Sequence, residues 1–170
     1  METEKTSIIS VLVENKPGVL YEVSNLFRRR NFNIESITVG PSEQKDTARM
    51  TIKVCEDEKT IVQVVKQVAK LIDVLKVEEL EEGNFVMREL ALIKVNSPTS
   101  KDRSDIINTV EVFRGRIIDV SSDSLTVEIT GTPDKLDAFL NLMKVTGVIE
   151  LARTGITALA RGAKSIRIDE

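Results

Sequence analysis

The chain has 170 residues, enough for one domain or for two small domains that each bury a core. Lys and Arg total 24 against 27 Asp and Glu, and the formal net charge of −3 argues against nucleic acid or an anionic membrane as the main partner. The absence of histidine excludes Ser-His and Cys-His nucleophile pairs, and the single Cys55 excludes an internal disulfide and a multi-cysteine metal site.

The beginning of the chain lacks the pattern of a secretory signal peptide. Residues 1–5 read METEK, which is the wrong start for such a segment. The apolar run at 8–13 is ended by Glu14 before it is long enough to span a bilayer. We therefore expect a soluble protein of the cytoplasm, a reducing compartment that also suits a single free thiol.

The first half of the chain reads as six elements in the order βαββαβ. Short apolar segments predict four strands, and the strict alternation of apolar and polar residues in the third gives it one solvent-facing side. These strands are 7–13, 34–39, 48–54 and 74–80. Apolar residues three and four positions apart predict helices at 19–30 and 58–72. The positions predicted to face the core are Val19, Leu20, Val23, Leu26 and Phe27 in the first helix, and Ile61, Val62, Val65, Val68, Leu71 and Ile72 in the second.

The second half repeats the order of the first after a polar linker at 81–84. The predicted strands are 88–95, 117–120, 125–130 and 148–152. One helix is predicted at 101–113, and another opens at 131–134 and ends at Gly147. The tail, 154–170, has no periodic pattern and receives no assignment. We predict an α+β protein of two tandem ferredoxin-like βαββαβ domains, residues 1–82 and 83–170.

The strongest candidate binding site is the polar loop 14–18 between the first strand and the first helix. A helix beginning near Gly18 presents backbone N–H groups without intrahelical partners, and its dipole favours a small carboxylate there. Gly18 permits close approach to the backbone, and the Asn15 side-chain carbonyl can accept a hydrogen bond from an ammonium group. These features suit an amino acid, but the same residues also make an ordinary strand-to-helix turn, so both interpretations stay open.

Two stretches of the first half resemble the ACT domain of the acetohydroxyacid (acetolactate) synthase small subunit. They are 10–20, SVLVENKPGVL, and 26–39, LFRRRNFNIESITV. Three segments of the second half, 113–120, 136–140 and 153–162, are similar to that family's C-terminal domain and tail. The resemblance runs from about residue 7 to residue 162, and its motifs fall in the family's order.

The resemblance implies a regulatory subunit with no catalysis and no cofactor of its own. In that family a catalytic large subunit carries thiamine diphosphate, Mg and FAD, and it condenses pyruvate with a 2-oxoacid on the route to valine, leucine and isoleucine. The small subunit activates the large one and confers feedback inhibition by a branched-chain amino acid, usually valine. Family small subunits form homodimers through their ACT domains, with effector sites at that interface.

Carried onto this chain, the resemblance assigns the effector site to two segments. Helix N-terminal amides would bind the carboxylate, two Asn side chains would hold the ammonium group, and apolar neighbours would surround the isopropyl group. A second copy of the chain would complete the site. Asn31 replaces the family's usual Gly, and we expect the turn to survive because Asn tolerates the left-handed conformation. The predicted effector-binding residues are Asn15, Gly18, Val19, Leu20, Asn33 and Ile34.

Three further interpretations follow from the residues alone. An RNA-binding ferredoxin-like tandem needs exposed aromatic residues on its central strands, and aromatic residues make up only 4% of this chain. An acylphosphatase-like enzyme needs a phosphate-cradling loop with Arg, which the first loop lacks. The segment 113–116, with Arg114 and Arg116, is either a helix end followed by a strand or a contact with the large subunit.

Overall fold

The computed structural model describes residues 5–168. Most of the segment used to argue against a signal peptide, residues 1–4, and the last two residues of the tail lie outside the described residues. The elements are β1 (Lys5–Glu14), α1 (Val19–Arg30), β2 (Ser36–Pro41), β3 (Thr47–Glu56), α2 (Glu58–Val68), β4 (Val74–Leu80), β5 (Phe85–Asn96), α3 (Ser100–Val112), β6 (Arg116–Val120), β7 (Ser124–Gly131), α4 (Pro133–Met143), β8 (Val148–Arg153) and β9 (Thr157–Ala160).

These elements form two compact units. The first unit contains residues 5–86 together with 156–168, and the second contains residues 87–155. The predicted linker, residues 81–84, connects β4 to β5, and the first unit continues to residue 86. The structure differs from the predicted division in the tail, because residues from 156 onward lie with the first unit and not with the second.

The first unit is a four-stranded antiparallel sheet in the order β2-β3-β1-β4 with two helices on one face. Alternate residues of β1 and β3 form one apolar cluster with the buried residues of α1 and α2. Within that cluster, the rings of Phe27 and Phe32 meet edge to face at 6.1 Å. The predicted βαββαβ arrangement is therefore confirmed, with the helices on the same side of the sheet.

The second unit repeats this arrangement in its own sheet. Its strands lie in the order β6-β7-β5-β8, so the second, third, first and fourth strands of the pattern are neighbours, as in the first unit. Apolar residues of α3 and α4 pack against β5 and β7, and Phe113 meets Phe139 edge to face at 5.4 Å. The repeat predicted from the order of elements is confirmed.

Two helix ends depend on left-handed backbone conformations. Asn31 follows α1 with φ 57° and ψ 34°, and its N–H donates to the Arg28 carbonyl oxygen at 3.2 Å. The predicted left-handed cap is therefore confirmed. Arg114 has φ 53°, and the Gly115 N–H donates to the Val110 carbonyl oxygen at 2.8 Å. Residues 113–116 thus form a helix end followed by a strand, which is the first of the two interpretations of this segment. A contact with the large subunit stays a prediction.

Several predicted boundaries and core positions are wrong. α2 ends at Val68, because the N–H groups of Lys70 and Leu71 bond three residues back, to the carbonyls of Gln67 and Val68, and this tightens the chain into a turn. Ile72 consequently lies outside the helix and is 95% exposed. The side chains of Leu20 and Val62 also face solvent, and β2 begins at Ser36 rather than at residue 34.

The predicted solvent-facing side of β3 is covered. Thr47 and Thr51 are buried, although they alternate with the core residues of the strand. Residues 156–168, named the strap here, cross this face of the sheet, and the Arg49 guanidinium donates to the Ala158 carbonyl oxygen at 3.0 Å. The prediction failed because the covering segment comes from more than 100 residues away and has no periodic pattern of its own.

Candidate functional site

The loop between β1 and α1 is fixed on both sides by hydrogen bonds. The Asn15 N–H donates to the Asp46 carbonyl oxygen at 2.8 Å, and the Glu14 N–H donates to the Asp73 carbonyl oxygen at 2.9 Å. The Lys16 ammonium lies 2.6 Å from Asp73 Oδ1 and 2.7 Å from Glu14 Oε2. These two carboxylates, Asp73 first, raise the pKa of Lys16 to about 12. The loop is therefore held in place before any ligand binds.

The N-terminus of α1 is open to a ligand. Gly18 is the N-cap, with φ 94°, and no side chain among the described residues caps this end. The first intrahelical hydrogen bond runs from the Glu22 N–H to the Gly18 carbonyl oxygen at 3.0 Å. Apart from Gly18 and its two chain neighbours, no described atom lies within 4 Å of the position that a Cβ on Gly18 would take. The first amides of the helix can thus receive a small anionic group.

The apolar residues predicted around the effector differ in exposure. Val19 is 4% exposed and belongs to the core of the first unit, whereas Leu20 is 46% exposed on the surface of α1. Ile34 is half-buried against the same core. Asn33 is exposed, and its N–H donates to Glu56 Oε1 at 3.5 Å. Leu20 and Asn33 therefore present side chains that a ligand can reach.

The six predicted residues do not meet in one copy of the chain. Asn15 follows the last residue of β1 and bonds to Asp46, while Asn33 bonds to Glu56, which pairs with Lys5 at the first residue of β1. α1 has 12 residues and separates the two segments by about 18 Å. The structure brings together Asn15, Gly18, Val19 and Leu20 at one end of α1, and Asn33 and Ile34 at the other.

A groove adjoins the N-terminal end of α1. It has a volume of about 500 Å³ and is lined mainly by apolar side chains. One wall is α1, which contributes the Glu22 carboxylate, and the other is the turn between α2 and β4, which contributes the Asp73 carboxylate and the Lys70 ammonium. Sequence reasoning missed the wall made by the turn between α2 and β4, because the predicted helix 58–72 ran through that turn. The lining residues are Val19, Glu22, Val23, Lys70, Leu71, Ile72, Asp73 and Val74.

The described residues offer few features that would indicate a metal site, a membrane span or an RNA-binding surface. Within residues 5–168, no group of three or more acidic or cysteine side chains is placed to hold a metal ion. No helix in the same range is long and apolar enough to cross a membrane. Of the central strands β1, β3, β5 and β7, only β5 has an aromatic residue, the half-buried Phe85 at its first position. The described strands therefore offer no row of exposed rings for stacking with RNA bases.

Comparison with protein families accounts for both halves of the chain. A family model described as an AHAS small subunit-like ACT domain matches residues 9–76, and another, described as the small subunit of acetolactate synthase, matches residues 88–162. The chain belongs to the family of acetolactate synthase small subunits. Its first unit is the family's ACT domain, as the sequence resemblance predicts.

Individual members of the family are similar over nearly the whole chain. The acetolactate synthase small subunit of Mycolicibacterium smegmatis is 50% identical over 161 residues, which are 95% of this chain and 94% of that protein. The small subunit from Aquifex aeolicus is 46% identical over 154 residues, 91% of this chain and 80% of that protein. The crystal structure of the small subunit from Thermotoga maritima superimposes with a TM-score of 0.87 at 48% identity, covering 94% of this chain and 99% of that one.

Proposed function

We propose that this chain is the regulatory subunit of an acetolactate synthase in branched-chain amino acid biosynthesis. It binds a catalytic large subunit, raises the activity of that subunit and confers feedback inhibition by a branched-chain amino acid, with valine as the expected effector. Thiamine diphosphate, Mg and FAD belong to the large subunit in this proposal. Support comes from the family, and from the uncapped N-terminus of α1 together with the placement of the predicted effector-binding residues at the two ends of that helix.

The opposite placement of the two segments is the observation that favours a homodimer. β2 is an edge strand with one side free of pairing among the described residues, and Val39 on it is half exposed. α1 connects β1 to β2 and therefore lies over the half of the sheet that ends at edge strand β2. A two-fold axis beside β2 would therefore set the start of α1 in one copy next to the end of α1 in the other. Each of the two equivalent sites would then contain the start of α1 from one copy and the end of α1 from the other.

The two segments have complementary chemistry for an amino acid. The first amides of α1, with Gly18 leaving space beside them, suit the carboxylate. The side-chain carbonyls of Asn15 and of Asn33 from the second copy suit the ammonium group. Leu20 and Ile34 supply apolar contact for a branched side chain, while Val19 supports the helix from the core. A carboxylate alone or an amine alone would use only half of this arrangement.

Calorimetry with valine, leucine and isoleucine tests this proposal directly. We expect Asn33→Ala to weaken effector binding by about 10- to 150-fold, because it removes a hydrogen bond to a charged group worth about 1.5–3 kcal/mol. The fold should be unchanged, since the Asn33 side chain is exposed. Asn108→Ala, an exposed Asn on α3 in the second unit, is the matched control and should bind as the wild type does.

Activity with the large subunit separates regulation from simple binding. Adding this chain should raise the rate of acetolactate formation, and the effector should lower that rate again. An allosteric coupling of about 1–3 kcal/mol would change effector affinity about 5- to 150-fold between the enzyme's two states. The proposal is wrong if none of the three amino acids binds and the chain has no effect on the large subunit. Unchanged affinity in Asn33→Ala would instead move the site elsewhere.

A further inference from the structure

The strap crosses the face of the first unit's sheet that α1 and α2 leave free. The Thr38 hydroxyl, on edge strand β2, donates to the Ile156 carbonyl oxygen at 2.9 Å. At the opposite edge, the Lys164 ammonium lies 2.5 Å from Glu78 Oε1 on β4. Thr38 and Glu78 belong to one cross-strand row, which also contains Thr51 on β3 and Ser10 on β1. The strap therefore runs along this row from one edge of the sheet to the other.

The strap then turns and returns toward the hairpin between β2 and β3. The Lys76 ammonium donates to the Arg167 carbonyl oxygen at 3.0 Å, and Arg167 Nε donates to Glu43 Oε1 at 2.9 Å. The Gln44 amide makes two bonds to Ile168, accepting from its N–H at 3.2 Å and donating to its carbonyl oxygen at 3.3 Å. Residues 164–168, named the return limb, thus depend on side chains for their attachment.

The two parts of the strap are held by different forces. In the outgoing part, residues 156–160, Ile156 and Ala158 are buried and β9 forms. In the return limb only Ile166 is buried. Of the limb's two ion pairs, the one between Arg167 and Glu43 joins two exposed side chains, and the one between Lys164 and Glu78 joins an exposed Lys to a Glu that is 21% exposed. Exposed ion pairs contribute little to stability and are screened by salt. The return limb is therefore the weaker attachment.

We propose that the return limb opens from the sheet as a unit, without unfolding of the first unit, and that charge controls its closure. Segments with few buried apolar contacts open at free energies far below that of global unfolding. In the open state Lys76, Glu78 and Gln44 lose their contacts with the return limb. This behaviour does not depend on an effector.

Trypsin cleavage of the full chain after Lys164 measures the opening. The double variant Glu43→Gln/Glu78→Gln removes both acidic partners of the return limb and leaves every trypsin site in place. Cleavage of a transiently open segment follows the population of the open form. Two exposed ion pairs of ordinary strength predict cleavage roughly 2- to 30-fold faster than in the wild type. Salt at about 0.5 M should speed cleavage of the wild type and change the double variant little.

Glu150→Gln is the matched control, because it removes the exposed ion pair between Glu150 and Lys94 in the second unit, where the distance is 2.8 Å. Its cleavage after Lys164 should equal that of the wild type, with rates normalised to a small peptide substrate at each salt concentration. Hydrogen exchange of β1 and β3 reports global opening in the same samples. Equal cleavage in the double variant and the wild type overturns the proposal. Exchange of residues 164–168 no faster than that of β1 and β3 overturns it as well.

Discussion

At the scale of single residues, Gly18 is the position where backbone conformation and the proposed site coincide. Its φ of 94° lies in the region that favours glycine. We expect Gly18→Ala to lower the free energy of unfolding by about 1–2 kcal/mol through backbone strain. The same change should weaken effector binding, because it adds a Cβ beside the first amides of α1. Urea denaturation and calorimetry measure the two effects separately.

Gly83 provides the matched control for this prediction. It also has a positive φ, 76°, and apart from Gly83 and its chain neighbours no described atom lies within 4 Å of its Cβ position, but it belongs to the linker after β4. Gly83→Ala should therefore cost a similar free energy of unfolding and leave effector affinity unchanged. Equal loss of affinity in both variants would show that Gly18 acts through stability and not through contact with the ligand.

The sequence predicts residues whose role is local and misses those whose partner is distant. The cap at Asn31 and the turn at Gly18 follow from chain-neighbour chemistry, and the structure has both. The ion pair between Lys16 and Asp73 joins residues 57 positions apart, and it depends on how β1 and β4 pair. No spacing rule connects those two side chains, so the ion pair that holds the loop could not be predicted from the sequence.

At the scale of elements, the end of α2 separates two isoleucines that the sequence pattern treats alike. Ile61 is 1% exposed in the core, whereas Ile72 is 95% exposed in the turn after the helix. We expect Ile61→Ala to lower the free energy of unfolding by about 2–5 kcal/mol, because it leaves a cavity. Ile72→Ala should change it by no more than about 0.5 kcal/mol. Chemical denaturation of both variants provides the comparison, and a large loss in Ile72→Ala would contradict the observed end of α2.

The wrong end predicted for α2 and the wrong exposure predicted for one side of β3 have one physical origin. Apolar spacing continued through Leu71 and Ile72, but it does not record where backbone hydrogen bonds change from the fourth residue back to the third. Likewise, the alternation in β3 correctly separated Ala48 and Met50 from Thr47 and Thr51. It did not record that another segment would cover the second side. Periodicity assigns residues to the faces of a helix or strand, whereas tertiary structure decides whether a face is exposed to solvent.

At the scale of the whole molecule, the order of elements was the most reliable guide. Two βαββαβ patterns in tandem predicted two sheets of the same strand order, and both sheets have it. The predicted residues of the effector site fall into two segments at opposite ends of α1, so one folded copy would hold only half of each proposed site. Any function that needs both segments on one small ligand therefore belongs to an assembly of at least two chains.

A mixed dimer tests this conclusion without relying on loss of function alone. Asn15→Ala and Asn33→Ala should each bind the effector poorly as homodimers. In a dimer with one chain of each type, one site has both substitutions, while the other combines the intact loop of one chain with the intact Asn33 of the other. We expect dimers purified through two different affinity tags to regain about half of the wild-type number of sites at wild-type affinity. Native mass spectrometry confirms the composition, and calorimetry counts the sites. If each site lay within a single chain, both sites of the mixed dimer would be defective and no binding would return.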